Sequence, residues 1–152
     1  MNTFESPLAD LSRAGVDFIV VGGLAVAAMG YSRMTEDIDL LVEPSAPNLR
    51  RLIDALASRG EGAAAELTPE DFPIEEGAVR VIEDFVFDLF TLMSGHTYVD
   101  FLPLSLARDV LGESVRFLNI EGLLTLKAPS LREKDQIDTR ILRRLQRGDD
   151  LS

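Results

Sequence analysis

The chain has 152 residues, with 15 Lys+Arg against 26 Asp+Glu for a net charge of −11, 46% hydrophobic residues and no Cys. That length suits one domain, 1–152, able to bury a core without staples, and the composition excludes a disordered chain. Disulfides, thiolate metal sites and a cysteine nucleophile are excluded outright, and the acidic balance argues against binding nucleic acid through bulk charge.

The longest uncharged run, between Asp17 and Arg33, has 15 residues, short of the roughly 20 that span a bilayer. No basic stretch precedes it in the manner of a signal peptide. The expected location is cytoplasmic.

In chain order, Phe4, Leu8 and Leu11 recur at helical spacing until Gly15 ends a first helix. Phe18-Ile19-Val20-Val21 is a compact β-branched run and reads as a buried strand, bounded by Gly22-Gly23. The small apolar segment 24–29 suits a helix packed inside the domain. Ile38 to Val42 reads as a second strand closed by Pro44, and Leu49, Leu52, Ile53 and Leu56 place an amphipathic helix over 46–59.

Residues 60–78 read as a loop with at most a helical turn after Thr68-Pro69. Two strands follow at 79–82 and 85–91, a hairpin around Glu83-Asp84. The remaining expectations are a short helix over 103–111, a strand over 115–118, and closing helices over 123–127 and 133–147. Ile137, Ile141, Leu142 and Leu145 should form the inner face of the last helix. The expected fold is α/β (α+β), a mixed sheet of four or five strands flanked by helices.

Charge is unevenly spread: 127–147 carries seven basic residues against three acidic, while the rest of the chain is strongly acidic. Alone, this reads as a solvated face. Three features carry chemistry. Asp37 and Asp39, in Thr35-Glu36-Asp37-Ile38-Asp39-Leu40, project to one face of a strand roughly 7 Å apart. Their repulsion is about 2 kcal/mol at an effective dielectric near 20, tolerable at a solvated strand end and turned to use by a divalent cation. Gly22-Gly23 joins a strand to a helix, either as a tight turn or as a backbone open to an approaching anion. Asp88, inside Phe85-Val86-Phe87-Asp88-Leu89-Phe90, needs a positive partner if buried. A cation shared with Asp37 and Asp39, an arginine, or exposure on an edge strand would each satisfy it.

The order Gly22-Gly23, Asp37-Ile38-Asp39-Leu40, then a single Asp on a later apolar strand resembles the DNA polymerase β-type nucleotidyltransferases. Gly22-Gly23-Leu24-Ala25-Val26, Gly30-Tyr31-Ser32-Arg33-Met34-Thr35 and Leu126-Lys127 with Arg132-Glu133-Lys134-Asp135 and Asp138 are similar to the abortive-infection and toxin-type members. The resemblance implies a minimal nucleotidyltransferase fold and transfer of a nucleoside monophosphate from a nucleoside triphosphate to an acceptor: an RNA end, a protein hydroxyl or a small molecule. It implies that Asp37, Asp39 and Asp88 hold Mg²⁺ or Mn²⁺ and do the catalysis, Asp88 accepting the acceptor's proton. Gly22, Gly23, Arg33, Thr35, Lys127 and Lys134 would bind nucleotide phosphates, with an Arg33–Glu36 ion pair as the alternative for Arg33. Many relatives have Ser where Gly23 stands. A homodimer or a cognate partner protein would complete the site, or the fold would serve as a non-catalytic nucleotide- or partner-binding module. Asp100 is the alternative third carboxylate, and His96 reads as a turn residue.

Overall fold

A computed structural model of the chain describes residues 4–31 and 35–148. Helix α1 (Glu5–Arg13) leads into strand β1 (Phe18–Val21), helix α2 (Gly22–Ala28), strand β2 (Asp37–Val42) and helix α3 (Ala46–Ala57). After two 3₁₀ turns come strands β3 (Val79–Ile82) and β4 (Val86–Phe90), helix α4 (Tyr98–Phe101), strands β5 (Ser105–Val110) and β6 (Glu113–Leu118), and helices α5 (Ile120–Lys127) and α6 (Glu133–Gln146). The six strands form one mixed sheet in the order β3-β4-β2-β1-β6-β5. No helix among the described residues is long and apolar enough to cross a membrane.

Strand alternation splits the core in two. Phe18, Val20, Ile38, Leu40, Phe87 and Leu89 point to one face, where they meet Leu8 and Leu11 of α1 and Leu49, Leu52 and Leu56 of α3. Ile19, Val21, Leu41 and Leu118 point to the other, against Ala25 and Val26 of α2, Leu123 of α5 and Leu142 of α6. Ser45 caps α3, accepting a hydrogen bond from Asn48 N–H. The fully buried Asn48 amide donates to Asp17 O (3.0 Å) and Glu43 O (2.7 Å) and accepts from Asp17 N–H (2.8 Å). It thereby locks the start of β1 to the end of β2.

Two expectations need correction. The sheet has six strands because 105–110 is an edge strand rather than part of a helix over 103–111. It pairs with β6 from Ser105↔Leu118 to Val110↔Glu113 across a Leu111-Gly112 turn, both residues having positive φ. An edge strand with mostly exposed side chains carries no apolar period to betray it. On α6, Leu142 is buried and Leu145 packs against the core as expected, but Ile137 is 37% exposed and the buried face also takes in Asp138 and Thr139. Asp138 and Thr139 are polar, so a count of apolar residues alone finds Leu142 and Leu145 but misplaces the first turn of the face.

Candidate active site

The second sheet face is covered by helices only in part. At the N-terminal end of β2 it opens into a cleft of about 540 Å³, a volume typical of small-molecule sites. Gly22, Gly23, Asp37 and Asp39 line the sheet side, together with Thr35 and Glu36 just before β2. Leu123, Leu126 and Lys127 of α5 and Arg132, Lys134 and Asp135 at the head of α6 form the helical side, and Phe90, Met93 and Ser94 complete the lining. Of the residues expected to bind phosphate, Arg33 lies outside the described residues. The structure brings Gly22, Gly23, Thr35, Lys127 and Lys134 into this one cleft.

Register sets the acidic side. Asp39 of β2 is the direct partner of Asp88 on parallel β4, and of Val21, the residue before Gly22, on antiparallel β1. Residues paired across strands share a face, and Asp37, two residues earlier, shares it too. Carboxylates as far as 51 residues apart in sequence become neighbours. Gly22 (φ +67°) presses against this group: a Cβ there would meet Asp39 Oδ2 directly and stand 2.9 Å from Asp39 Cβ. The two motifs are therefore one packing unit, needing glycine both for the backbone angle and for the carboxylate's room.

Arg80 completes this side, and the sequence reading had no role for it. It stands opposite Asp88 in the antiparallel β3–β4 pair. Its Nε donates to Asp88 Oδ1 at 2.9 Å, and its Nη2 to Asp88 Oδ2 and Asp37 Oδ2, each at 3.0 Å. The positive partner that Asp88 requires is thus an arginine. Asp88 is 8% exposed and contributes nothing to the cleft lining. The only cue in sequence is a lone arginine in Val79-Arg80-Val81-Ile82; the register that aims it is a tertiary fact.

Asp39 is left among like charges. Burial first, then the carboxylates of Asp88 and Asp37, raise its pKa from 3.8 to about 6, while Lys127 and Lys134 pull it the other way. Asp37 and Asp39 suit a hard divalent cation, since oxygen donors crowded together in a partly buried place gain most from a neutralising charge. Among the described residues, however, no three His, Asp or Glu side chains are grouped to hold one ion, with Asp88 committed to Arg80.

The helical side is built differently. Lys127 reaches from α5 to α6, 3.2 Å from Asp135 Oδ1 and 3.0 Å from Asp138 Oδ2. Ser130 Oγ donates to Asp135 Oδ2 at 2.8 Å. Arg132 and Asp135, part of the motif read from sequence but given no role there, line the cleft as well, Arg132 Nε standing 3.8 Å from Asp135 Oδ2. Beside the cleft, Glu76 accepts from the N–H groups of Ser94 and Gly95, both at 2.9 Å, holding Ser94 in a left-handed turn (φ +50°). Asp100 lies outside the cleft lining, capping α4 by accepting from Thr97 N–H at 3.0 Å, which lowers its pKa. His96 packs edge-on against Phe101, ring centroids 4.8 Å apart.

The model of a protein family described as "Nucleotidyl transferase AbiEii toxin, Type IV TA system" matches residues 8–92. That stretch contains Gly22, Gly23, Asp37, Asp39 and Asp88 and ends before Lys127. The crystal structure of an antigenic nucleotidyltransferase-like protein from Paracoccidioides brasiliensis superposes with a TM-score of 0.51 at 14% sequence identity, covering 93% of this chain and 74% of that one. At this identity the likeness is one of fold. No curated protein matches the sequence significantly.

Proposed function

The chain belongs to the nucleotidyl transferase AbiEii toxin family, and on that premise we propose that its cleft transfers a nucleoside monophosphate from a nucleoside triphosphate to an acceptor hydroxyl. The observation that carries this reading is the meeting of Gly22-Gly23, Asp37, Asp39 and Lys127 around one cleft, with Asp88 directly beside Asp39. The acceptor oxygen bonds to the α-phosphorus as the bond to pyrophosphate breaks, and the hydroxyl proton passes to a carboxylate of the acidic centre. Lys134 and Lys127 lie on the far wall, where cationic side chains balance triphosphate charge. Gly22 and Gly23 line the cleft at the start of α2, and their backbone N–H groups are the ones to meet phosphate oxygens. Asp37 and Asp39 are the residues to hold Mg²⁺ or Mn²⁺, which when bound supplies charge neutralisation and Lewis-acid polarisation of phosphate oxygens. The rest of catalysis is positioning.

Membership of a type IV toxin–antitoxin family supports a cognate partner protein that restrains the activity. Use of nucleoside triphosphate fits a cytoplasmic location. Incubation with each labelled triphosphate, Mg²⁺ or Mn²⁺, and RNA, protein or small-molecule acceptors tests the reading. Transfer should fall about a thousandfold in Asp37→Asn/Asp39→Asn, in line with loss of a metal-dependent centre; transfer untouched by that change would sink it. A second reading, a module that binds nucleotide without turnover, is favoured by the hold of Arg80 on Asp88 and Asp37. Calorimetry showing nucleotide binding where no acceptor is modified selects it.

A further inference from the structure

We propose that Arg80 is a built-in counter-cation of the acidic centre that stands in for one divalent ion, so that the site takes a single Mg²⁺ or Mn²⁺, on Asp37 and Asp39. The inference rests on the nucleotidyl-transfer reading and deepens it, since it concerns how many cations the same site holds.

Three observations carry it. The guanidinium engages both Asp88 oxygens in a two-pronged contact, Nε to Oδ1 at 2.9 Å and Nη2 to Oδ2 at 3.0 Å. A planar fork of this kind matches a carboxylate and leaves it little reason to seek another cation. The same Nη2 reaches Asp37 Oδ2 at 3.0 Å, so one fixed positive charge is shared between two of the three carboxylates. Finally, Asp88 is covered, its side chain 12% exposed, whereas that of Asp37 is 36% exposed and Asp39 lines the cleft. The carboxylate character that still faces the cleft belongs to Asp39 and to the remainder of Asp37. That is a donor set for one hard cation. A second, brought against Asp88, would meet the guanidinium at contact distance and be repelled by it.

Arg80 is held from the sheet rather than from a loop. It is fixed by the β3–β4 register opposite Asp88, and the neighbouring Val81 is buried in the core on the opposite face. A strand residue anchored in this way starts its side chain directly beside Asp88, and the half-exposed guanidinium reaches both carboxylates from there.

Titration of the full chain with Mn²⁺, followed by electron paramagnetic resonance of the free ion and by calorimetry, tests the proposal without any measurement of transfer. The expected result is one Mn²⁺ per chain, abolished in Asp39→Asn. Arg80→Gln should admit a second Mn²⁺ and bind the first about tenfold more tightly, while Arg80→Lys, which keeps the charge, should stay at one. Two Mn²⁺ of similar affinity in the unaltered chain would overturn the proposal, and so would an Arg80→Gln protein with unchanged stoichiometry and affinity. The unaltered chain decides the count by itself if Arg80→Gln folds poorly. Absence of any Asp39-dependent Mn²⁺ binding in all three chains overturns it in a different way, because the metal-dependent reading of the cleft then fails as well.

Discussion

The two walls of the cleft treat charge in opposite ways. On the helical wall, Lys127 is nearly enclosed and sits within 3.2 Å of Asp135 and 3.0 Å of Asp138, whose carboxylate is almost wholly buried. Lys127, Asp135 and Asp138 answer one another there, and the cluster stitches α5 to α6. On the sheet wall, Arg80 answers Asp88 and part of Asp37, and Asp39 is left between like charges with its pKa raised to about 6. A satisfied cluster holds structure together. An unsatisfied one costs stability, and retaining it makes physical sense where a ligand will supply the missing charge.

Substitutions should separate the walls. Gly22→Ala ought to be the most damaging single change, because it forces an alanine into φ +67° and drives its Cβ into Asp39. The expected loss is about 3 kcal/mol, or roughly 10 °C in melting temperature, with transfer abolished. A melting temperature within a degree or two of the parent would break the coupling between glycine turn and carboxylate. Lys127→Met should also cost about 3 kcal/mol in denaturant unfolding, since it strips the cation from a buried ion cluster. Little loss would mean that the helical wall is not the satisfied structural cluster described above.

Asp39→Asn should do the reverse on the sheet wall. The native state binds the Asp39 proton more tightly than the unfolded chain, whose carboxyl titrates near 3.8. The stabilisation this gives is fully present below pH 4 and is lost as pH rises through about 6. Asp39→Asn removes the high-pH penalty, so it should unfold about 1–2 kcal/mol later than the parent at pH 8 and at the same point at pH 4. The figure is smaller than the full shift implies because the carboxylate is partly solvated. Unfolding curves at the two pH values check it, and a gain of equal size at both would show that like-charge repulsion is not its source. The smallest effect belongs to Asp100→Ala, which removes a cap outside the cleft: a slight drop in melting temperature with transfer unchanged. Loss of transfer there would redraw the acidic wall.

Much of the scaffold is readable from residue order. Leu49, Leu52, Ile53 and Leu56 repeat at helical spacing and are all buried in α3, and the all-apolar Phe18-Ile19-Val20-Val21 is a central strand. Such elements declare themselves because one-sided or complete burial writes a period into the chain. The edge strand β5 and the Asp138 part of α6's inward face do not, the first because little of it is buried and the second because ion pairing at Asp138 replaces apolar packing.

The candidate site divides in the same way. Glycine at 22 and 23 and the alternating Asp37 and Asp39 are local patterns, and they suffice to mark a glycine turn and a pair of carboxylates on one strand face. No local pattern states that Asp39 lies beside Asp88, that Gly22 packs on the Asp39 carboxylate, or that Arg80 closes over Asp88. Those contacts depend on strand order and register, which arise from the way two hydrophobic faces are buried at once. Residue types set what chemistry the chain has available; which charges are satisfied and which remain open is settled only when the sheet assembles.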